Sequence, residues 1–127
     1  NNFKMLHEEA YKVSKSRKLS RLASCGGVGS ALITKNGNIY TGLCIDASCG
    51  IGFCAEHSAI AEMLKHGESE IKEIIAVNEQ KKILPACGRC RELIFQINPH
   101  NKNTIIHLSA NQQKTIKALL PEPWSAG

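Results

Sequence analysis

Residues 30–34 and 39–45, SALIT and IYTGLCI, are two apolar runs joined by KNGN. An Asn36-Gly37 pair between such runs is the pattern of a tight β-hairpin. A hairpin needs further elements to bury its apolar face, and the remaining sequence supplies helices and strands in alternation. Residues 3–22 read as an amphipathic helix, broken by the glycine-rich Cys25-Gly-Gly-Val-Gly29. Beyond the hairpin, 54–66 reads as a helix closed by Gly67, 71–79 as a strand, and 87–97 as a helix stopped by Pro99. Residues 104–109 read as a strand and 112–120 as a short helix. This order predicts an α/β fold with a mixed sheet covered on both faces, antiparallel at the hairpin and parallel where helices cross over. No linker, repeat or low-complexity segment interrupts it, so 1–127 is read as a single domain.

With 127 residues, 43% of them hydrophobic, the chain can bury a core without staples, so a metal would serve chemistry more than folding. No apolar run approaches the ~20 residues of a membrane span, and the start lacks the order of a secretory leader. A soluble cytoplasmic protein with no membrane partner is expected. The net charge of +5 is concentrated: residues 1–21 hold six basic residues against two acidic ones. A solvated helix face accounts for them, and with no aromatic residues interleaved for base stacking, no nucleic-acid partner is expected.

Six cysteines (25, 44, 49, 54, 87 and 90) in such a setting point to metal or catalysis before disulfides. Cys87-Gly-Arg-Cys90 opens a helix and puts two thiols on one face. Alone, this spacing serves a redox dithiol or half of a zinc site. Cys54 opens another helix, and both helices follow strand-loop segments that end at the same sheet edge, so three thiols can converge. Helix N-termini favour the thiolates a metal needs. Three protein ligands on tetrahedral Zn²⁺ leave one position open, as in catalytic zinc. Three thiolates also leave a net −1 on the centre; Arg91, next to Cys90, is the expected compensating charge. Glu56, two residues after Cys54, falls where a carboxylate can face the open position and move protons. A noncatalytic zinc site closed by Cys25, Cys44, Cys49 or His57, and a Cys87/Cys90 redox pair, remain as readings from other classes.

Cys-Ala-Glu opening one helix and Cys-Gly-Arg-Cys-Arg-Glu-Leu opening the next resemble the cytidine deaminases, particularly the blasticidin-S-deaminase-like branch. The segments GGVGSALITKNGNIYTG and LLPEPW extend the resemblance over most of the chain. It implies a three-layer α/β/α sandwich that deaminates a cytosine-type nucleoside, or a blasticidin-S-type antibiotic, with Zn²⁺ on Cys54, Cys87 and Cys90 and Glu56 as proton shuttle. It further implies that the backbone of Ala55 and Ala86 meets the pyrimidine edge, that Trp124 covers the base, and that the protein is a homotetramer. The sequence departs from the family in three places. Pro85-Ala86 stands where the family has proline directly before the cysteine. Gly26 stands near a phenylalanine's place. Cys44-Ile45-Asp46 replaces the ribose-gripping Asn-x-Glu, leaving Asp46 to accept from a sugar hydroxyl and Cys44 a poor substitute for an amide.

Overall fold

The computed structural model describes residues 2–125. Helix α1 (Phe3–Lys12) lays Leu6 and Ala10 on the sheet but stops well before residue 22. Ser14 and Ser16 account for the early stop. The Ser14 hydroxyl donates to Tyr11 O at 2.8 Å and its carbonyl accepts from Gly27 N at 2.6 Å. Ser16 donates from its backbone and its hydroxyl to Glu79, at 3.0 and 3.1 Å. These bonds offer the backbone an alternative to the helix. The chain continues as a two-residue strand, β1 (Arg17–Lys18), antiparallel to the start of β2 (Ala23–Thr34).

β2 forms the expected hairpin with β3 (Ile39–Ala47), in the register Ala31↔Thr41 and Leu32↔Tyr40. Gly37 takes φ +87° in the turn. Asn36, Asn38 and Tyr40 all donate to Glu68, at 3.1, 2.8 and 2.8 Å, anchoring the hairpin tip. β4 (Ile71–Asn78) pairs antiparallel with β2, β5 (Ile105–His107) parallel with β4, and β6 (Gln113–Thr115) antiparallel with β5. The sheet is therefore mixed and six-stranded. Residues 112–120 are not one helix: 113–115 pair with the free edge of β5, and only then does Thr115 cap α4 (Ile116–Leu119), accepting from Ala118 N.

Helices α2 (Ala55–Lys65) and α3 (Gly88–Ile97) cover the face opposite α1, which completes three layers. Strand alternation divides the core: Leu32, Ile74 and Ile106 pack with Ile60, Met63 and Ile94 on one face, while Ala31, Ile33, Ile75 and Val77 meet α1 on the other. At about 1.5–3 kcal/mol per buried aliphatic side chain, these residues carry the fold, and Cys90, fully buried, packs in the cluster beneath α2 and α3. α2 lies so close to β3 that a Cβ on Gly42 would come within 2.3 Å of Ala59 N. That contact fixes where the α2 N-terminus emerges. Among the described residues no helix is long and apolar enough to cross a membrane.

Candidate active site

Cys54 and Cys87 are the N-cap residues of α2 and α3, both in extended conformation and neither using its side chain as a cap. Their thiols are thus free to face each other. Cys54 Sγ lies 3.6 Å from Cys87 Sγ, and Cys87 Sγ 3.6 Å from Cys90 Sγ one turn along α3. Cys54 Sγ, Cys90 Sγ and a ring nitrogen of His57 all lie within 4.8 Å of one another. Sulfurs on a tetrahedral zinc, at ~2.3 Å each, stand about 3.8 Å apart. The cluster therefore fits zinc, and all six cysteines are free thiols.

His57 was weighed in the sequence only as a ligand closing a noncatalytic site, yet its Nδ1 stands 3.5 Å from Cys90 Sγ. Its ring is stacked on Phe53, with centroids 6.3 Å apart. Burial, then the positive charge of Arg89, push the His57 pKa down. Burial also pushes the thiols of Cys54 and Cys90 up. At Cys87 burial acts the same way, but hydrogen bonds from the backbone of Cys90 and Arg89 and from the neighbouring thiols outweigh it and bring the pKa down. Cys87 is the thiol most ready to bind as thiolate, and a metal must displace protons from the other two.

The thiols of Cys54 and Cys87 border a cavity of about 580 Å³, within the range of small-molecule sites. Cys54, Ala55, Glu56 and Cys87 line it together with Cys44 and Asp46 from β3; His57 does not line it. Glu56 is 5% exposed. Burial raises its pKa, against hydrogen bonds from its own backbone and from Cys90. A carboxyl tuned toward neutrality suits proton transfer in both directions. Ala86 is buried and lines a narrow crevice together with Glu56.

Other predicted residues stand differently. Arg91 donates from Nε to Ala86 O at 2.8 Å, bracing the approach to Cys87, while Arg89, which the sequence reading passed over, is the arginine lining the cavity. The Cys44 thiol donates to Gly26 O at 2.8 Å, so it is turned onto β2. Trp124 does not line the cavity of its own chain: its backbone N–H donates to Glu92 Oε1 on α3 at 2.8 Å, and the residue is 66% exposed.

The cytidine and deoxycytidylate deaminase zinc-binding region, as a family, matches residues 3–107. The chain belongs to this family. A cytidine deaminase of Halalkalibacterium halodurans is 31% identical over 102 residues, covering 78% of this chain and 77% of that protein. A blasticidin-S deaminase of Bacillus cereus is 32% identical over 104 residues, covering 74% of each. The crystal structure of cytidine deaminase from Mycobacterium tuberculosis shares the fold, with a TM-score of 0.81 over 98% of both chains at 23% identity. As a family member the chain is a zinc-dependent hydrolytic deaminase, and the thiol–imidazole cluster is where its donors are positioned to hold the metal.

Proposed function

We propose that the protein replaces the exocyclic amino group of a cytosine-type nucleoside with oxygen, giving the uracil form and ammonia. One observation carries this reading: a buried carboxyl, Glu56, lining a nucleoside-sized cavity together with Cys54 and Cys87, two of three mutually close thiols. Cys54, Cys87 and Cys90 are assigned as the zinc ligands, because two of them line the cavity whereas His57 does not, which keeps the open coordination position toward substrate. His57 then donates toward Cys90 and moderates the charge of the thiolate set. Zinc, when bound, lowers the pKa of water toward neutrality and so supplies a nucleophile for C4. Glu56 takes a proton from the attacking water as the C4–O bond forms and hands it to the ring nitrogen; it then takes the remaining proton from the new C4 hydroxyl and delivers it to the amino group as the C–N bond breaks, leaving the C4 carbonyl and ammonia. The backbone of Ala55 and Ala86 is assigned to the pyrimidine edge. The single domain acts as a homotetramer in the cytoplasm.

A second reading, deamination of a blasticidin-S-type antibiotic, is supported by the Cys44 thiol being turned onto Gly26 O and so offering no amide-like grip on a ribose. A site that lacks such a bond discriminates less. Zinc-loaded protein is incubated with cytidine, deoxycytidine, cytosine and blasticidin S, and the absorbance change of the 4-amino group is followed. Turnover of cytidine with weak selectivity is expected. Preference for blasticidin S selects the second reading, and no turnover of any of the four means the ring is not cytosine.

A further inference from the structure

Cys87 stands between two other thiols. Its Sγ lies 3.6 Å from that of Cys54 and 3.6 Å from that of Cys90. We propose that peroxide joins Cys54 and Cys87 in a reversible disulfide, which withdraws two of the three assigned zinc donors and switches the metal site off. The proposal rests on reading the three thiols as the zinc ligands.

Access and packing choose Cys54 over Cys90 as the partner. Cys54 and Cys87 both line the cavity, and Cys87 is exposed, so a small oxidant arriving through that cavity meets these two. Cys90 does not line it: the residue is fully buried, packs in the cluster that holds Ile60, Met63 and Ile94, and its thiol lies 3.5 Å from His57 Nδ1. Drawing that sulfur out into a disulfide would leave a void in the core. Bonded sulfurs stand about 2 Å apart, so from 3.6 Å Cys54 and Cys87 must close by roughly 1.5 Å. Both are N-cap residues whose side chains cap nothing, and rotation about their side-chain bonds covers that distance. The room is on the α3 side. Cys54 follows Phe53, whose backbone exchanges two bonds of 3.0 Å with Ile45, whereas Cys87 precedes Gly88, where an added Cβ would meet nothing within 4 Å.

The oxidant is hydrogen peroxide. The Cys87 thiolate attacks one peroxide oxygen, the O–O bond breaks, hydroxide leaves, and Cys87 becomes a sulfenic acid. The Cys54 thiolate then attacks the Cys87 sulfur; the S–S bond forms, the S–O bond breaks and a second hydroxide leaves. The two thiolates lose one electron each, peroxide gains both, and two protons from solvent turn the hydroxides into water. A dithiol reductant reverses the change through a mixed disulfide.

The test adds hydrogen peroxide to zinc-loaded protein whose metal content has first been measured, with released zinc read by a chromophoric chelator and the thiols by intact mass and peptide mapping. The expected result is stoichiometric zinc release in step with a loss of two hydrogens from the chain, a linked peptide pair containing Cys54 and Cys87, and recovery of zinc binding after a dithiol reductant and fresh zinc. The circular dichroism spectrum should stay unchanged, since the aliphatic core carries the fold. Cys54→Ser is expected to form no disulfide and to take up oxygen irreversibly at Cys87 instead. A link between Cys87 and Cys90 in wild type, a disulfide that forms at the wild-type rate in Cys54→Ser, or oxygen addition without any disulfide in wild type overturns the proposal and leaves the deaminase reading standing. Zinc retained while Cys54 and Cys87 are joined, or protein that holds no zinc before the oxidant is added, overturns the ligand assignment as well.

Discussion

Glu56 can be separated from the metal because it is a neighbour of the thiols, not a donor among them. Glu56→Gln keeps the shape and the capacity to hydrogen-bond but cannot cycle a proton. It is expected to retain zinc and fold while losing roughly two to four orders of magnitude in kcat, checked by metal analysis beside steady-state kinetics. Normal turnover would remove the carboxyl from the mechanism. His57→Ala tests the ligand assignment: stoichiometric zinc should remain, held on three thiols, and X-ray absorption on wild type should count three sulfurs without a histidine nitrogen. Loss of the metal would make His57 a ligand in place of Cys87. The pairs Cys87/Cys90 and Cys54/Glu56 were legible in the sequence because helix starts and short spacings place them, and the meeting of Cys54 with Cys87 followed from both helices starting after strands that end at one sheet edge. The role of His57 was less so, although it lies three residues past Cys54 and hence on the same side of α2. Its proximity to Cys90 depends on how two helices from distant parts of the chain meet, which no local spacing encodes.

The glycine-rich segment at the start of β2 does more than break a helix. Gly26 and Gly27 take φ +85° and +90° at the irregularity between Cys25 and Gly29, and both line the active cavity. A Cβ on Gly26 would lie 2.1 Å from Lys15 O, so neither the conformation nor the space admits a side chain. Gly26→Ala is expected to destabilise the fold by more than about 1 kcal/mol, seen as a lower urea midpoint, and to raise KM by displacing the carbonyl that holds Cys44. An unchanged midpoint would show that the segment relaxes freely. The hairpin, α2, β4 and α3 were readable because period, turn residues and end signals agree there. The ends of the chain were not. Ser14 and Ser16 divert the backbone after Lys12 through bonds to Gly27 and Glu79, and 113–115 is a strand because β5 offers a free edge. Both outcomes are decided by distant partners.

The proposed tetramer gives Trp124 its expected use. Its exposed indole, on a tail bonded to Glu92, does not line its own cavity, and it is expected to reach a neighbour's. Light scattering should give four times the chain mass of 13.9 kDa, and a fully active monomer would defeat the assignment. Stability of the chain as a whole has a separate clamp on the sheet face away from the zinc donors. Glu73 on β4 accepts from Asn2 Nδ2 and from His107 Nε2 on β5, both at 2.9 Å, tying the N-terminal segment to two parallel strands. Burial alone would raise the Glu73 pKa, but the bonds from Asn2 and His107 outweigh it and hold it below the ordinary value of 4.5. A carboxylate with a depressed folded pKa adds stability that is fully present above the unfolded value and is lost as pH falls through the folded one. The stabilisation is therefore complete at neutral pH and fades in acid below about pH 4.5. Glu73→Gln should cost about 1–3 kcal/mol at pH 7, as expected when a buried hydrogen-bonded group is left imperfectly paired, and should flatten the acid limb of the stability profile. Comparing thermal midpoints of wild type and variant between pH 3.5 and 7, in steps of about half a unit, resolves that limb. Parallel profiles for the two proteins would show that Glu73 is not the group whose protonation loosens the fold.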